Sequence, residues 1–118
     1  MKNHKSECIF CKIGYKEVPV RLEYEDDIIA AFNDKNPQAP VHILIIPKVH
    51  IAKISDTAEK EVELLGRMLA VAKDMAANKK LQSSGYRLVI NCGRDGGQLV
   101  DHLHIHLLGG RQFGWPPG

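Results

Sequence analysis

Apolar residues along this chain fall into short runs separated by polar turns, with one longer stretch at helical spacing. Val20 to Tyr24 reads as a strand, started by Pro19 and ended at an Asp26-Asp27 turn. Ile28 to Phe32 reads as a second strand, and Val41 to Ile46, stopped by Pro47, as a third. Asn36-Pro37-Gln38-Ala39-Pro40 between them is a loop, because two prolines do not fit a sheet interior. Val62, Leu65, Met68, Leu69, Ala72, Met75 and Ala76 recur with helical period, which predicts a helix capped by Ser55 or Asp56 and running to Asn78. Tyr86 to Asn91 follows Gly85 as a fourth strand, and His102 to Leu108, ended by Gly109-Gly110, is a fifth. Ile9 to Tyr15 forms a short helical turn, while the tail from Arg111 to Gly118 is neither helix nor strand. Short loops between strands favour an antiparallel sheet, and one long helix must cover it. The expected class is α+β.

The chain has 118 residues, enough for one domain, and shows no repeat or linker. A chain of this size buries roughly two-thirds of its unfolded surface and needs no disulfides. It is 44% hydrophobic and 25% charged, which argues against disorder. The net charge is +2 with no block of like charge, so neither a nucleic-acid partner nor a membrane surface is indicated. The longest aliphatic run is Ile43 to Ile46, far below the about 20 residues of a membrane span. Met1 to Glu7 is polar, is expected to be flexible and lacks an apolar signal core, which places the protein in the cytoplasm. Two of the three cysteines sit as Cys8-x-x-Cys11, half of a zinc site by spacing; Cys92 is read as a small packing residue.

Histidine carries the functional signal. Five of the six lie in two places: His42 and His50, then His102, His104 and His106. On a strand the last three face one way, with Leu103, Ile105 and Leu107 facing the core, and successive rings stand about 7 Å apart. A solvent-facing strand would mix Lys, Glu, Thr and Ser instead. A metal site and nucleophilic attack by imidazole at phosphorus are the two chemical readings. The loop Asn91-Cys92-Gly93-Arg94-Asp95-Gly96-Gly97-Gln98 stands just ahead, and its glycines let backbone N–H groups converge on an anion. That points to a phosphate.

The run Gly97-Gln98-Leu99-Val100-Asp101-His102-Leu103-His104-Ile105-His106-Leu107-Leu108 resembles the signature of the histidine-triad superfamily. Cys8-Ile9-Phe10, Phe32-Asn33-Asp34, Pro37 to His42, Ile46-Pro47-Lys48 and the tail from Gly109 resemble its Hint branch, and the resemblance covers the chain from Cys8 onward. The Trp-Pro-Pro tail sets this branch apart from dinucleoside-polyphosphate hydrolases, and His106 in place of glutamine argues against a nucleotidyltransferase.

The resemblance implies a single domain over residues 1–118, with a five-stranded antiparallel sheet and one long and one short helix per protomer. The sheet continues across a two-fold homodimer, and the tail 109–118 crosses to the partner. It implies hydrolysis of the P–N bond of purine nucleoside 5′-phosphoramidates, with no cofactor needed for the chemistry. His104 is then the nucleophile, His106 contacts phosphate oxygens, and His42 and His102 fix tautomers and share protons. Ile9, Phe10, Ile13, Val18 and Phe32 wall the base pocket, and Asp34 holds the ribose hydroxyls. Asn91, Gly97, Gln98 and Leu99 bind phosphate, and Trp115 shapes the partner's leaving-group side. Some bacterial members complete a structural zinc site with equivalents of His50 and His102, which here join Cys8 and Cys11.

Three residues depart from the family pattern. Leu99 replaces a polar residue beside the leaving group, Lys35 replaces an apolar one beside the ribose, and Asp101 replaces an aromatic residue or proline. Leu99 can offer its backbone N–H but no side-chain proton. Rival readings are a nucleotide-binding regulatory protein with incidental hydrolysis, a dinucleoside-polyphosphate hydrolase and a zinc-binding scaffold.

Overall fold

In the computed structural model, which describes residues 5–118, the antiparallel sheet forms around the apolar run Val41–Pro47, the third strand (β3). Tyr24–Glu25 (β1) and Ile29–Asn33 (β2) form a hairpin on one side of it, and Ile105–Gly109 (β5) and Tyr86–Val89 (β4) lie on the other. The order is β1-β2-β3-β5-β4, every pair antiparallel. The predicted Asp26 turn is built by its own carboxylate. Oδ1 accepts the N–H groups of Ile28 and Ile29 at 2.8 Å, and Oδ2 accepts Tyr24 Oη and Arg67 at 2.7 Å.

Alternation along the strands gives the sheet two apolar faces. Ile29, Ala31, Ile43, Ile45, Ile105 and Leu107 face the long helix Val62–Asn78 (α2), whose Met68, Val71, Ala72 and Met75 complete that core. Ala30, Phe32, Leu44 and Ile46 face the other way, against Phe10 and Ile13 of the short helix Ile9–Gly14 (α1). Lys16, at φ +61, turns the chain away after α1. No helix among the described residues is long and apolar enough to cross a membrane.

Four expectations about elements are corrected. Val20 to Leu22 is not strand, because Val20 N–H bonds the Val18 carbonyl at 2.9 Å and the sheet edge begins only near Tyr24. The long helix starts at Val62: Thr57 and Ala58 are extended, and Ser55 turns its hydroxyl to Cys92 Sγ at 3.2 Å rather than capping a helix. Its buried stripe includes Val71, whereas Val62 and Leu69 are 63% and 46% exposed. Finally, β5 begins at Ile105, not His102, because the chain before it bonds elsewhere: His102 N–H to Val100 O at 2.8 Å and Leu103 N–H to Ile51 O at 2.7 Å. Strand β4 ends correspondingly early, with Val89 paired to His106.

Of the start expected to be flexible, residues 1–4 lie outside the described residues. Lys5 to Glu7 make a turn in which the Lys5 carbonyl accepts Cys8 N–H at 3.0 Å.

Candidate active site

The sheet register sets one imidazole pair. Leu44 of β3 stands opposite His106 of β5, so His42, two residues back along β3, is a diagonal neighbour of His106 on the same face. Their ring centroids are 5.2 Å apart. His102 and His104 arrive on the extended lead-in to β5. Leu103 between them enters the opposite core, so the alternation persists although the ladder does not. His104 and His106 rings meet at 4.9 Å with a 65° tilt, closer than straight strand geometry gives. Phe10 of α1 closes the face, edge-on to His102 at 5.9 Å and to His104 at 5.2 Å.

Hydrogen bonds fix where each neutral ring carries its proton. Gln38 N–H donates to His42 Nδ1 at 3.0 Å, so the proton of neutral His42 is on Nε2. His42 Nε2 lies 2.9 Å from His106 Nδ1, which must accept, leaving the His106 proton on Nε2. Asp34 Oδ2 stands 3.4 Å from the same His42 Nε2, while Oδ1 accepts Asn36 N–H at 2.8 Å. His104 Nδ1 lies 2.6 Å from the His102 carbonyl and therefore donates, leaving Nε2 as an unprotonated base. His102 Nε2 donates to the Pro47 carbonyl at 2.8 Å, leaving Nδ1 as its lone-pair atom.

Burial favours the neutral form of these rings. It is the largest cause of the lowered pKa of His42 and His104, with Asp34 opposing it in both. His106 falls to about 4 through burial and then the neighbouring His104 and His42; His102 falls to about 4 through burial, against the bond to Pro47.

A cavity of about 480 Å³ opens onto this face, within the about 300–1,000 Å³ usual for small-molecule sites. It brings together Ile9, Phe10, Ile13, Asp34, His42, Asn91, Gly97, Leu99, His104 and His106 from the expected set. Other expected residues stand apart from its lining. Val18 and Phe32 pack behind Phe10. His102 is fully buried behind His104 and His106. Gln98 staples the loop, donating to Ala52 and Val100 carbonyls and accepting Gly93 N–H. Trp115 is 84% exposed and lines no part of this chain's cavity. The sequence reading missed Leu44, Val100, Asn36 and Gln38 as lining residues. Alternation from His42 along β3 pointed to Leu44; nothing local pointed to Gln38. Lys35 lines the cavity beside Asp34, and Leu99 is 94% exposed at its mouth.

Behind His102 lies a second cluster. Cys8 Sγ and Cys11 Sγ approach His102 Nδ1 at 3.3 and 3.6 Å, and Cys11 Sγ lies 3.4 Å from His50 Nδ1. Zinc–sulfur bonds of about 2.3 Å and zinc–nitrogen bonds of about 2.0–2.1 Å put tetrahedral ligand atoms about 3.3–3.8 Å apart. The spacing fits, and the outward bond to Pro47 orients the His102 lone pair inward as a ligand requires. Burial raises the Cys11 thiol to about 11, so without a metal it is protonated at neutral pH. Asp34, His42 and His106 also offer three converging donors, but they do not fit a metal. His42 already accepts at Nδ1, so ligation through Nε2 would demand an imidazolate.

The HIT domain model matches residues 15–113. A purine nucleoside phosphoramidase of Escherichia coli is 47% identical over 108 residues, covering 92% of this chain and 91% of its own length. A 14 kDa zinc-binding protein of Zea mays is 52% identical over 115 residues, covering 96% and 89%. A crystal structure of a HIT family hydrolase from Legionella pneumophila superposes with a TM-score of 0.93 at 53% identity, covering 95% of this chain and 100% of that one.

Proposed function

The chain belongs to the HIT domain family, and on that premise we propose that it hydrolyses purine nucleoside 5′-phosphoramidates to a nucleoside monophosphate and an amine. The observation that carries this reading is the opposite tautomers of two adjacent rings: His104 with a bare Nε2 and His106 with an N–H at Nε2. One is a nucleophile and the other an oxyanion donor.

In the first step the His104 Nε2 lone pair attacks phosphorus. The P–N bond breaks, and its electron pair leaves on the amine, which takes a proton from solvent because Leu99 has none to give. His106 Nε2–H bonds the phosphoryl oxygen as charge builds there, and Asn91 and the Gly97 backbone hold the other oxygens. The His104 Nδ1–H bond to the His102 carbonyl stabilises the positive charge on the nucleotidyl-histidine. Water then attacks phosphorus, the P–Nε2 bond breaks, and monophosphate, a proton and neutral His104 are released. Asp34 accepts ribose hydroxyls, and Ile9, Phe10 and Ile13 cover the base.

Cys8, Cys11, His50 and His102 hold a structural zinc on this reading, which supplies a cross-link and no chemistry. The named zinc-binding relative and the ligand spacing support it. The working unit is a homodimer of single-domain chains. Support comes from the outer edge of β4, the exposed Val62 and Leu69 on α2, and the open space beside Gly66. Trp115 then serves the partner's site.

The test is hydrolysis of adenosine 5′-phosphoramidate by the native protein and by His104→Ala at micromolar enzyme. Turnover is expected only in the native protein. No turnover in either, with AMP bound by both, overturns the enzyme and leaves a nucleotide-binding protein.

A further inference from the structure

A row of hydrogen bonds ties the C-terminal turn to the triad. After β5, Gly110 has φ +91, and a Cβ there would stand 2.9 Å from the Pro40 side chain. Only glycine lets the chain pass so close to the loop 36–40, and the next residue, Arg111, is delivered to it. Arg111 Nε–H donates to the Gln38 carbonyl at 3.0 Å. Its guanidinium is held there by Nη1–H to the Gln112 carbonyl at 3.0 Å and by the Phe113 ring at 4.2 Å. Gln38 is the same residue whose N–H donates to His42 Nδ1. Pro37 and Pro40 have no N–H, so the loop has few other donors to offer.

We propose that Arg111 is a positioning residue for the triad: by clamping Gln38 it holds His42 as the Nε2–H tautomer and thereby makes His106 a donor at Nε2. An N–H aimed at Nδ1 excludes a proton from that atom. If Gln38 turns away, Nδ1 is open to a proton, either a second one or the one that Asp34 Oδ2, 3.4 Å from Nε2, otherwise holds on Nε2. The groups facing the His42 ring are Asp34 from the end of β2 and His106 from β5, with His104 behind the latter. From the loop, the Gln38 N–H bonds Nδ1, on the opposite side of the ring from the Asp34 carboxylate at Nε2. Arg87 also lies over the Phe113 ring, at 5.2 Å, and donates to the Gly114 carbonyl at 2.8 Å, which anchors the turn to β4.

The consequence for turnover rests on the phosphoramidase reading; the tautomer does not. The experiment is therefore read twice. Nitrogen-15 spectra of the imidazoles in the nucleotide-free protein should show His42 as a single Nε2–H form in the native protein and in the remote surface variant Lys73→Ala, and as mixed or charged forms in Arg111→Ala. For turnover of adenosine 5′-phosphoramidate, kcat should fall about tenfold in Arg111→Ala with KM little changed, and Arg111→Lys should recover most of it, as expected when orientation and not binding is lost. If Arg111→Ala keeps the native His42 tautomer, the inference is overturned, whether or not any phosphoramidate is hydrolysed. If it unfolds, Arg111→Lys and Arg111→Gln decide by the same spectra, the second expected to behave as the alanine variant.

Discussion

His104 and His106 are the same side chain two residues apart, and what each Nδ1 meets separates their chemistry. A carbonyl faces one and an N–H the other. That difference follows from backbone groups of His102 and Gln38, which a linear reading of the triad does not reveal. Burial adds a pH signature. His106 has a pKa of about 4 in the fold against 6.5 ordinarily. Below 6.5 the unfolded chain protonates it, and the folded chain does not until about 4. The unfolded state thus binds more protons in that window, so stability is full above pH 6.5 and falls as the pH drops toward 4. The group accounts for on the order of 3 kcal/mol across the window. Urea titrations at pH 7 and pH 4.5 should show a smaller loss in His106→Asn than in the native protein; equal losses would contradict the assignment.

Elements were legible in type and less so in extent. Five strands and one long helix were visible in the apolar runs because burial on a sheet face demands them. Their ends were set by competitors for backbone bonds: Val18 for Val20, Ile51 for Leu103, and Cys92 for the Ser55 hydroxyl. Helical period alone did not choose between neighbouring stripes on α2. Packing across β3 and β5 buried Met68 and Val71 and left Leu69 outside. The two positions therefore test different things. Met68→Ala removes a fully buried side chain and should cost about 2–5 kcal/mol in urea unfolding. Leu69→Glu should leave the fold intact and, if the proposed homodimer uses this helix face, give a monomer in sedimentation where the native protein gives a dimer. An unchanged mass for Leu69→Glu would exclude this helix face from the assembly.

Across the whole molecule, the Cys8–Cys11–His50–His102 cluster joins three distant segments through the first histidine of the triad. Protein purified without added metal should carry about one zinc, and its removal by a chelator should lower the melting temperature by several degrees or more. Because Cys11 is a thiol near neutrality, binding should release protons and strengthen with rising pH. A metal-free protein with unchanged melting would remove the zinc from this account.

The histidine row, the glycine loop and the Cys-x-x-Cys pair were legible in the chain alone, because alternation shows which side chains share a face; Asp34 was legible only through the family resemblance. Tertiary structure decided the rest. Register brought His42 to His106, a carbonyl of Pro47 turned His102 toward the cysteines, and Gln38 N–H set the first tautomer of the row. These are contacts between residues far apart in the chain or between side chains and backbone. Proton placement depends on such partners, and no local pattern of residues encodes them.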